Sequence, residues 1–352
     1  MYIRNKNIFL MLVLTLFSCN KQLTCNNNIS YKTVTEIKTT PVKNQGQSNL
    51  CWLYAMLGTI ESEHIMQGDS VEISTTYLAR NIITEKAQIC YFSNNKKSIS
   101  LRGMGCTAIH YLERYGAEPY TSFKDPSDIN YNILCKKVEH LAFTMSRQGS
   151  GLSSFNEKLN DLLDQSTGFT PGQFVYMLGA QYTPKEFAHS ICYPGEYLSL
   201  TSFSHHPFHK SFVLEVPDNE MHDYFYNLPI EELMKHIHDA VKAGHPVCWE
   251  GDVTNDDFHE GFVSLSNHHP ITQRYRQRLF ETLKTSDNHA LEITGIVNKN
   301  GKEYYKCKNS YGTEWGDKGF VYLSPDYIAI NTIAVFMSKE AYKRGVINNH
   351  NR

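Results

Sequence analysis

A chain of 352 residues is long enough for one large or two small domains and buries a substantial core without covalent staples. Its 41% hydrophobic, 20% charged and 12% aromatic residues exclude a disordered, collagen-like or coiled-coil protein. Lys and Arg number 34 against 36 Asp and Glu, a formal charge of −2, so no overall field draws the chain to nucleic acid or anionic lipid, and its partners belong to a local site.

The first element is an apolar run, Ile8 to Phe17, too short for the roughly 20 residues of a membrane-spanning helix. Arg4 and Lys6 precede it and Leu16-Phe17-Ser18-Cys19 closes it, the charged, apolar and small-residue order of a secretory signal. With a cysteine at the cut, this segment resembles a bacterial lipobox. The resemblance implies a signal peptide at 1–18, lipidation of Cys19, and a mature protein held to a membrane of the bacterial cell envelope by acyl chains. Asn20 points to the outer membrane. A polar, Asn-rich tether at 19–32 then leads to ordered sequence from near Tyr31.

Leu53, Met56, Leu57, Ile60 and His64 recur at helical spacing, which predicts a helix over Trp52 to Met66 with its N-terminus at Cys51. A second helix is expected over Leu101 to Tyr115, stopped by Gly116 and Pro119. Further helical segments fall between Lys124 and Glu196, among them Phe155 to Leu163 and Pro184 to Ile191. Pro229 to Ala243 repeats the helical period with Pro229 in the first turn and Gly244 at the end, and Val247 to Trp249 follows as a strand. Beyond that, His289 to Val297, Lys302 to Lys308, Gly319 to Leu323 and Thr332 to Met337 are short, β-rich and separated by turn residues. Helices first and antiparallel strands later predict an α+β protein of two lobes with a cleft between them. The expected divisions are a helical lobe at 33–125, a helical insertion and crossover at 126–225, a β-rich lobe at 226–340 and a tail at 341–352.

Nine cysteines, at 19, 25, 51, 90, 106, 135, 192, 248 and 307, contain no CxxC pair, which excludes a zinc-ribbon framework. With Cys19 lipidated and one cysteine acting as a nucleophile, seven are left, so at least one stays unpaired. Cys51 sits at the positive end of an apolar helix, where backbone N–H groups stabilise a thiolate and lower the thiol's pKa. Position alone favours a buried structural cysteine over a nucleophile. His289, opening one strand, and Asn309, ending the next, tip the balance, because a base oriented by a third polar group is what activates a thiol.

At these residues the chain resembles the papain-like cysteine peptidases. Pro41-Val42-Lys43-Asn44-Gln45-Gly46 with Cys51-Trp52, then His289-Ala290, then Lys308-Asn309-Ser310-Tyr311-Gly312-Thr313-Glu314-Trp315-Gly316 match that family's three blocks in order. The resemblance implies that Cys51 attacks, His289 is base and then acid, Asn309 orients the imidazole, and Gln45 donates to the oxyanion with the Cys51 N–H. Ser48 stands where the family has a half-cystine, Asn49 and Leu50 replace its Gly-Ser, and Tyr311 replaces a tryptophan that shields the asparagine. The 238-residue interval from Cys51 to His289 exceeds that of a minimal papain and resembles the bleomycin hydrolase and aminopeptidase C branch. Tyr197 to Asn219 and Gly251-Asp252-Val253-Thr254 extend that likeness.

Together these resemblances imply a lipid-anchored thiol peptidase of the aminopeptidase type, acting on peptides through a Cys51 thioester, needing no cofactor, and open to homo-oligomerisation as in that branch. An endopeptidase with an open cleft and an inactive peptide-binding lipoprotein are the alternatives. The short stretch between Cys19 and the catalytic block argues against control by a long propeptide. In the resembling branch a C-terminal carboxylate meets the substrate amine; here the tail ends at Arg352. Gly103 matches the glycine that pairs substrate backbone, and Met104 is expected to line a side-chain pocket. The clusters His205-His206-Pro207-Phe208-His209 and His268-His269 fit no metal spacing, and with no Asp or Glu cluster beside them a structural or surface role is expected. Asp287-Asn288 is expected either to hydrogen-bond near His289 or simply to form the turn before its strand.

Overall fold

The computed structural model describes residues 30–343 apart from 95, 127–128, 173, 178 and 267–269. The signal segment, Cys19, most of the tether, His268-His269 and the tail from 344 to Arg352 lie outside the described residues. Strand β1 (Lys32–Glu36) leads through an irregular stretch to helix α1 (Cys51–Gln67). From Trp52 to Glu63 every residue of this helix but Tyr54 is buried, polar ones included, which marks a helix enclosed by the molecule, and Gly68 ends it in the left-handed conformation that only glycine adopts without strain. Around it stand α2 (Thr75–Phe92), capped by Ser74, α3 (Gly105–Tyr115), α4 (Tyr131–Arg147), capped by Asn130, and α5 (Leu152–Thr167). Helix α3 starts four residues later than its apolar pattern suggests. Leu101 to Met104 run extended instead, tied by a 2.8 Å hydrogen bond from Trp52 Nε1 to the Leu101 carbonyl.

A hairpin of β2 (Val175–Met177) and β3 (Ala180–Tyr182) precedes α6 (Pro184–Ile191), whose first turn is closed by a Thr183–Glu186 capping box. Strands β4 (Tyr197–Thr201), β5 (Ser211–Val213) and β6 (Tyr224–Asn227) come next, then α7 (Ile230–Lys242), with Pro229 at its cap rather than inside its first turn. The last part holds β7 (Val247–Gly251), β8 (Phe262–Val263), α8 (Gln273–Glu281), β9 (His289–Lys299), β10 (Lys302–Lys308), β11 (Phe320–Leu323), α9 (Pro325–Asn331) and β12 (Thr332–Ser338).

These strands make one ten-stranded sheet in the order β5-β6-β4-β12-β7-β9-β10-β11-β8, with β1 also paired to β9. Its pairs are antiparallel except β4 with β6 and β8 with β11. Side chains alternate across it as strand geometry requires. Cys248 and Ala290 join the core shared with α1 to α6, whereas Val247, Trp249, Leu291 and Ile293 join the one shared with α7 and α9. Because β9 and β10 are antiparallel, the start of one and the end of the other lie at the same edge. Since Glu250 pairs with Ala290 and Gly251 with His289, the end of β7 arrives there too.

Candidate active site

Cys51, the first residue of α1, faces the sheet edge where β7, β9 and β10 converge, and Gln45, Cys51, Gly103 and His289 line one cavity there. His289 is buried and its Nε2 lies 2.9 Å from Asn309 Oδ1. That oxygen also accepts the Ser310 backbone N–H at 2.7 Å. A backbone amide can only donate, so it assigns the asparagine oxygen; the oxygen can only accept, so His289 carries its proton on Nε2. Nδ1 is thereby left unprotonated and is the nitrogen that can act as a base. Tyr311 stacks on the imidazole, with ring centroids 4.9 Å apart and its hydroxyl 3.4 Å from Nδ1.

Gln45 is held from three sides. Its backbone N–H donates to the Ser310 carbonyl at 2.8 Å, its Oε1 accepts from Ser310 Oγ at 2.6 Å, and its Nε2 donates to the Ser48 carbonyl at 2.9 Å. One of the two Nε2 hydrogens remains for a substrate oxyanion, beside the Cys51 N–H, which has no intrahelical acceptor in the first turn. Ser48 Oγ donates back to the Gln45 carbonyl at 2.7 Å, so a reciprocal pair of hydrogen bonds shapes the loop at a position without a half-cystine. None of the seven described cysteines is in a disulfide.

The electrostatics correct the expectation of a thiolate at rest. Backbone N–H groups of Ala290 and Trp52 near the Cys51 sulfur do favour the anion. Burial outweighs them and, with the nearby Asp287 and Glu250 carboxylates, pushes the thiol up to about 12. Burial likewise brings His289 down to about 4, partly opposed by the bond to Asn309. Burial thus disfavours charge on either group, and attack requires the Cys51 proton to pass to His289.

Beneath the cavity, α1 is joined to the catalytic strands by buried polar groups. Glu292 accepts from Ser62 Oγ at 2.5 Å and sits 3.4 Å from Lys308 Nζ, which donates to Thr40 Oγ1 at 3.1 Å. Gly58 makes room for this: a Cβ there would lie 2.7 Å from Glu292 Oε2.

The expected substrate residues separate. Gly103 lines the catalytic cavity and a larger neighbouring groove, while Met104 is fully buried in the core at the start of α3, because its segment is extended rather than helical. Nor do His205 and His206 lack an acidic companion. Glu215, just beyond β5, receives both, at 3.2 and 2.5 Å. Motif spacing does not single out Ser310, Glu250 or the Arg102–Asp218 pair, all of which the structure brings to the site. Ser310 lies inside the asparagine block. Glu250 has a legible signal, an acid within a strand that is otherwise apolar and entirely buried.

Residues 224–347, which contain both His289 and Asn309, match the model of the papain family cysteine protease. About a third of the chain thus carries the likeness to that family. Over most of its length it is similar to aminopeptidase E of Lactobacillus helveticus, with 24% identity over 83% of this chain and 80% of that protein. Aminopeptidase W of Lactobacillus delbrueckii subsp. lactis is 22% identical over 87% of this chain and 82% of its own. The crystal structure of pepw from Lactobacillus rhamnosis hn001 superposes with a TM-score of 0.65 at 18% identity, covering 92% of this chain and 86% of that one. The fold is therefore papain-like α+β, as the order of helices and strands suggests. The papain-like match begins before α7 and takes in the histidine and asparagine strands; Gln45 and Cys51 precede it and meet those strands in space.

Proposed function

We propose that this protein is a cysteine aminopeptidase, releasing amino-terminal residues from peptides through a Cys51 thioester. The observation that carries the reading is the chain of hydrogen bonds from Ser310 through Asn309 to His289, which leaves a basic nitrogen in the cavity of a cysteine. As Cys51 Sγ attacks the carbonyl carbon, its proton passes to His289 Nδ1, and the oxyanion takes hydrogen bonds from Gln45 Nε2 and the Cys51 N–H. The imidazolium then protonates the departing amine, and His289 next activates the water that hydrolyses the thioester. Similarity to aminopeptidases E and W over most of the chain supports the exopeptidase direction.

The test is hydrolysis of one dye-linked peptide with a free amino terminus and of its N-acetylated form, beside a Cys51→Ala control. Cleavage of the free form alone, abolished in the control, is expected. Cleavage of the acetylated form makes the enzyme an endopeptidase, and no cleavage or epoxide labelling at Cys51 makes it a peptide-binding relic. The lipobox-like segment supports a further part of the proposal, anchoring through Cys19 at the bacterial outer membrane. Cys19→Ser should then move the protein from the detergent to the aqueous phase. Self-association, as in the resembling branch, is to be read from the mass of the solubilised protein.

A further inference from the structure

Two carboxylates in the catalytic cavity have no part in the chemistry above. Glu250, on β7 directly opposite Ala290, and Asp287, two residues before His289, both line the space in front of Cys51. Both are buried, Glu250 completely and Asp287 with 9% of its surface exposed. Glu250 Oε1 accepts the Gly105 N–H at 2.8 Å, but Glu250 Oε2 and Asp287 Oδ2 are buried without a hydrogen-bond partner. The nearest cation does not supply one. Arg102 directs Nε to Asp218 at 2.7 Å and Nη2 to the main-chain carbonyl of Asp287 at 2.5 Å.

Buried carboxylate oxygens without partners are costly, and each raises the energy of charge on the other. Burial accordingly holds both groups well above the usual carboxylate range, helped by Asp287 at Glu250 and by Asp218 at Asp287. A cation entering the cavity relieves this, and a proton is the only smaller alternative. In an aminopeptidase the substrate brings such a cation to a fixed place. Its α-ammonium is two bonds from the carbonyl carbon that Cys51 attacks, so it enters the same cavity.

We propose that Glu250 and Asp287 form the receptor for the α-ammonium group of the substrate. This rests on the aminopeptidase reading and specifies its selectivity: the chain recognises a free amino terminus with carboxylates of its own sheet. The same carboxylates raise the Cys51 thiol, so an ammonium bound between them also eases ionisation of the nucleophile. A blocked amino terminus provides neither effect.

The experiment uses leucyl-, N-acetyl-leucyl- and N-acetyl-lysyl-aminomethylcoumarin with the parent protein and with Glu250→Gln and Asp287→Asn. The parent is expected to cut only the leucyl substrate. Each variant should raise its KM roughly 10- to 100-fold, the worth of a hydrogen bond to a charged group, while Cys51 still reacts with iodoacetamide. Unchanged KM in both variants overturns the receptor and leaves the aminopeptidase reading intact. Equal cleavage of leucyl and N-acetyl-leucyl substrates by the parent overturns that reading and the receptor with it. Cleavage of N-acetyl-lysyl but not N-acetyl-leucyl substrate, lost in Glu250→Gln, assigns the carboxylates to a side-chain cation and overturns the α-ammonium role. In case both variants misfold, the parent alone decides: leucinamide should slow iodoacetamide labelling of Cys51 at concentrations where N-acetyl-leucinamide does not, and equal protection overturns the proposal.

Discussion

Replacing Asn309 tests the hydrogen-bond chain that sets the base. In Asn309→Ala the Nε2 proton of His289, in a side chain only 3% exposed, loses its 2.9 Å acceptor. An unsatisfied buried donor costs about 1–3 kcal/mol, so kcat/KM should fall roughly 5- to 150-fold if the loss is felt in the transition state. Losing the bond also removes the one interaction that lifts His289 from its burial-depressed value of about 4, so the acid limb of the pH–rate profile should move to lower pH. Asn309→Asp keeps an acceptor and adds negative charge, which should move the same limb to higher pH. Stopped assays of leucyl-aminomethylcoumarin hydrolysis across the acid range measure both variants. Acid limbs that shift in the same direction, or an alanine variant as fast as the parent, would refute the assignment.

Other perturbations probe the scaffold. Gly58→Ala, which in an exposed helix would stabilise by about 1 kcal/mol, should here lower stability by a similar or larger amount, because the new methyl meets a Glu292 held by Ser62 and Lys308. Thermal unfolding gives the sign, and a higher midpoint would contradict the packing. Glu118 is buried with Oε2 unpartnered, and burial pushes its carboxyl up to about 7. A carboxyl raised on folding contributes stability below its unfolded pKa and loses it as pH rises through the folded one. Glu118→Gln should therefore match the parent near pH 5 and surpass it by roughly 2 °C or more near pH 8; parallel melting curves at both pH values would remove Glu118 as the cause.

Local patterns are the legible part of this molecule. The start of α1 at Cys51, the bounds of α6 and β10, and the meeting of His289 with Asn309 all arise from spacing, caps and one antiparallel pair. Whatever depends on burial is not legible. The helix end at Cys51 is a local feature that favours a thiolate, whereas desolvation by the opposing sheet, which outweighs it, arises only on folding. Helix α8 is hidden in the sequence because Arg274, Arg276 and Arg278 make it look solvated. In fact Arg276 is buried and donates to the carbonyls of Ser202, Ala329 and Ile330, a role set by segments remote in sequence. Glu250 likewise gains its meaning only when β7 aligns with β9.

Strand β12 lies between β4 and β7, buried along its whole length, although it follows every other strand of the sheet in the chain. Until Ser338 has left the ribosome, β7 has an unpaired edge and the β4–β6 ladder has nothing to join. The nucleophile is synthesised before every strand of the sheet but β1, yet the sheet that aims the histidine at it waits for β12. A nascent chain of this protein therefore carries Cys51, His289 and Asn309 before β12 has closed the sheet that aims them.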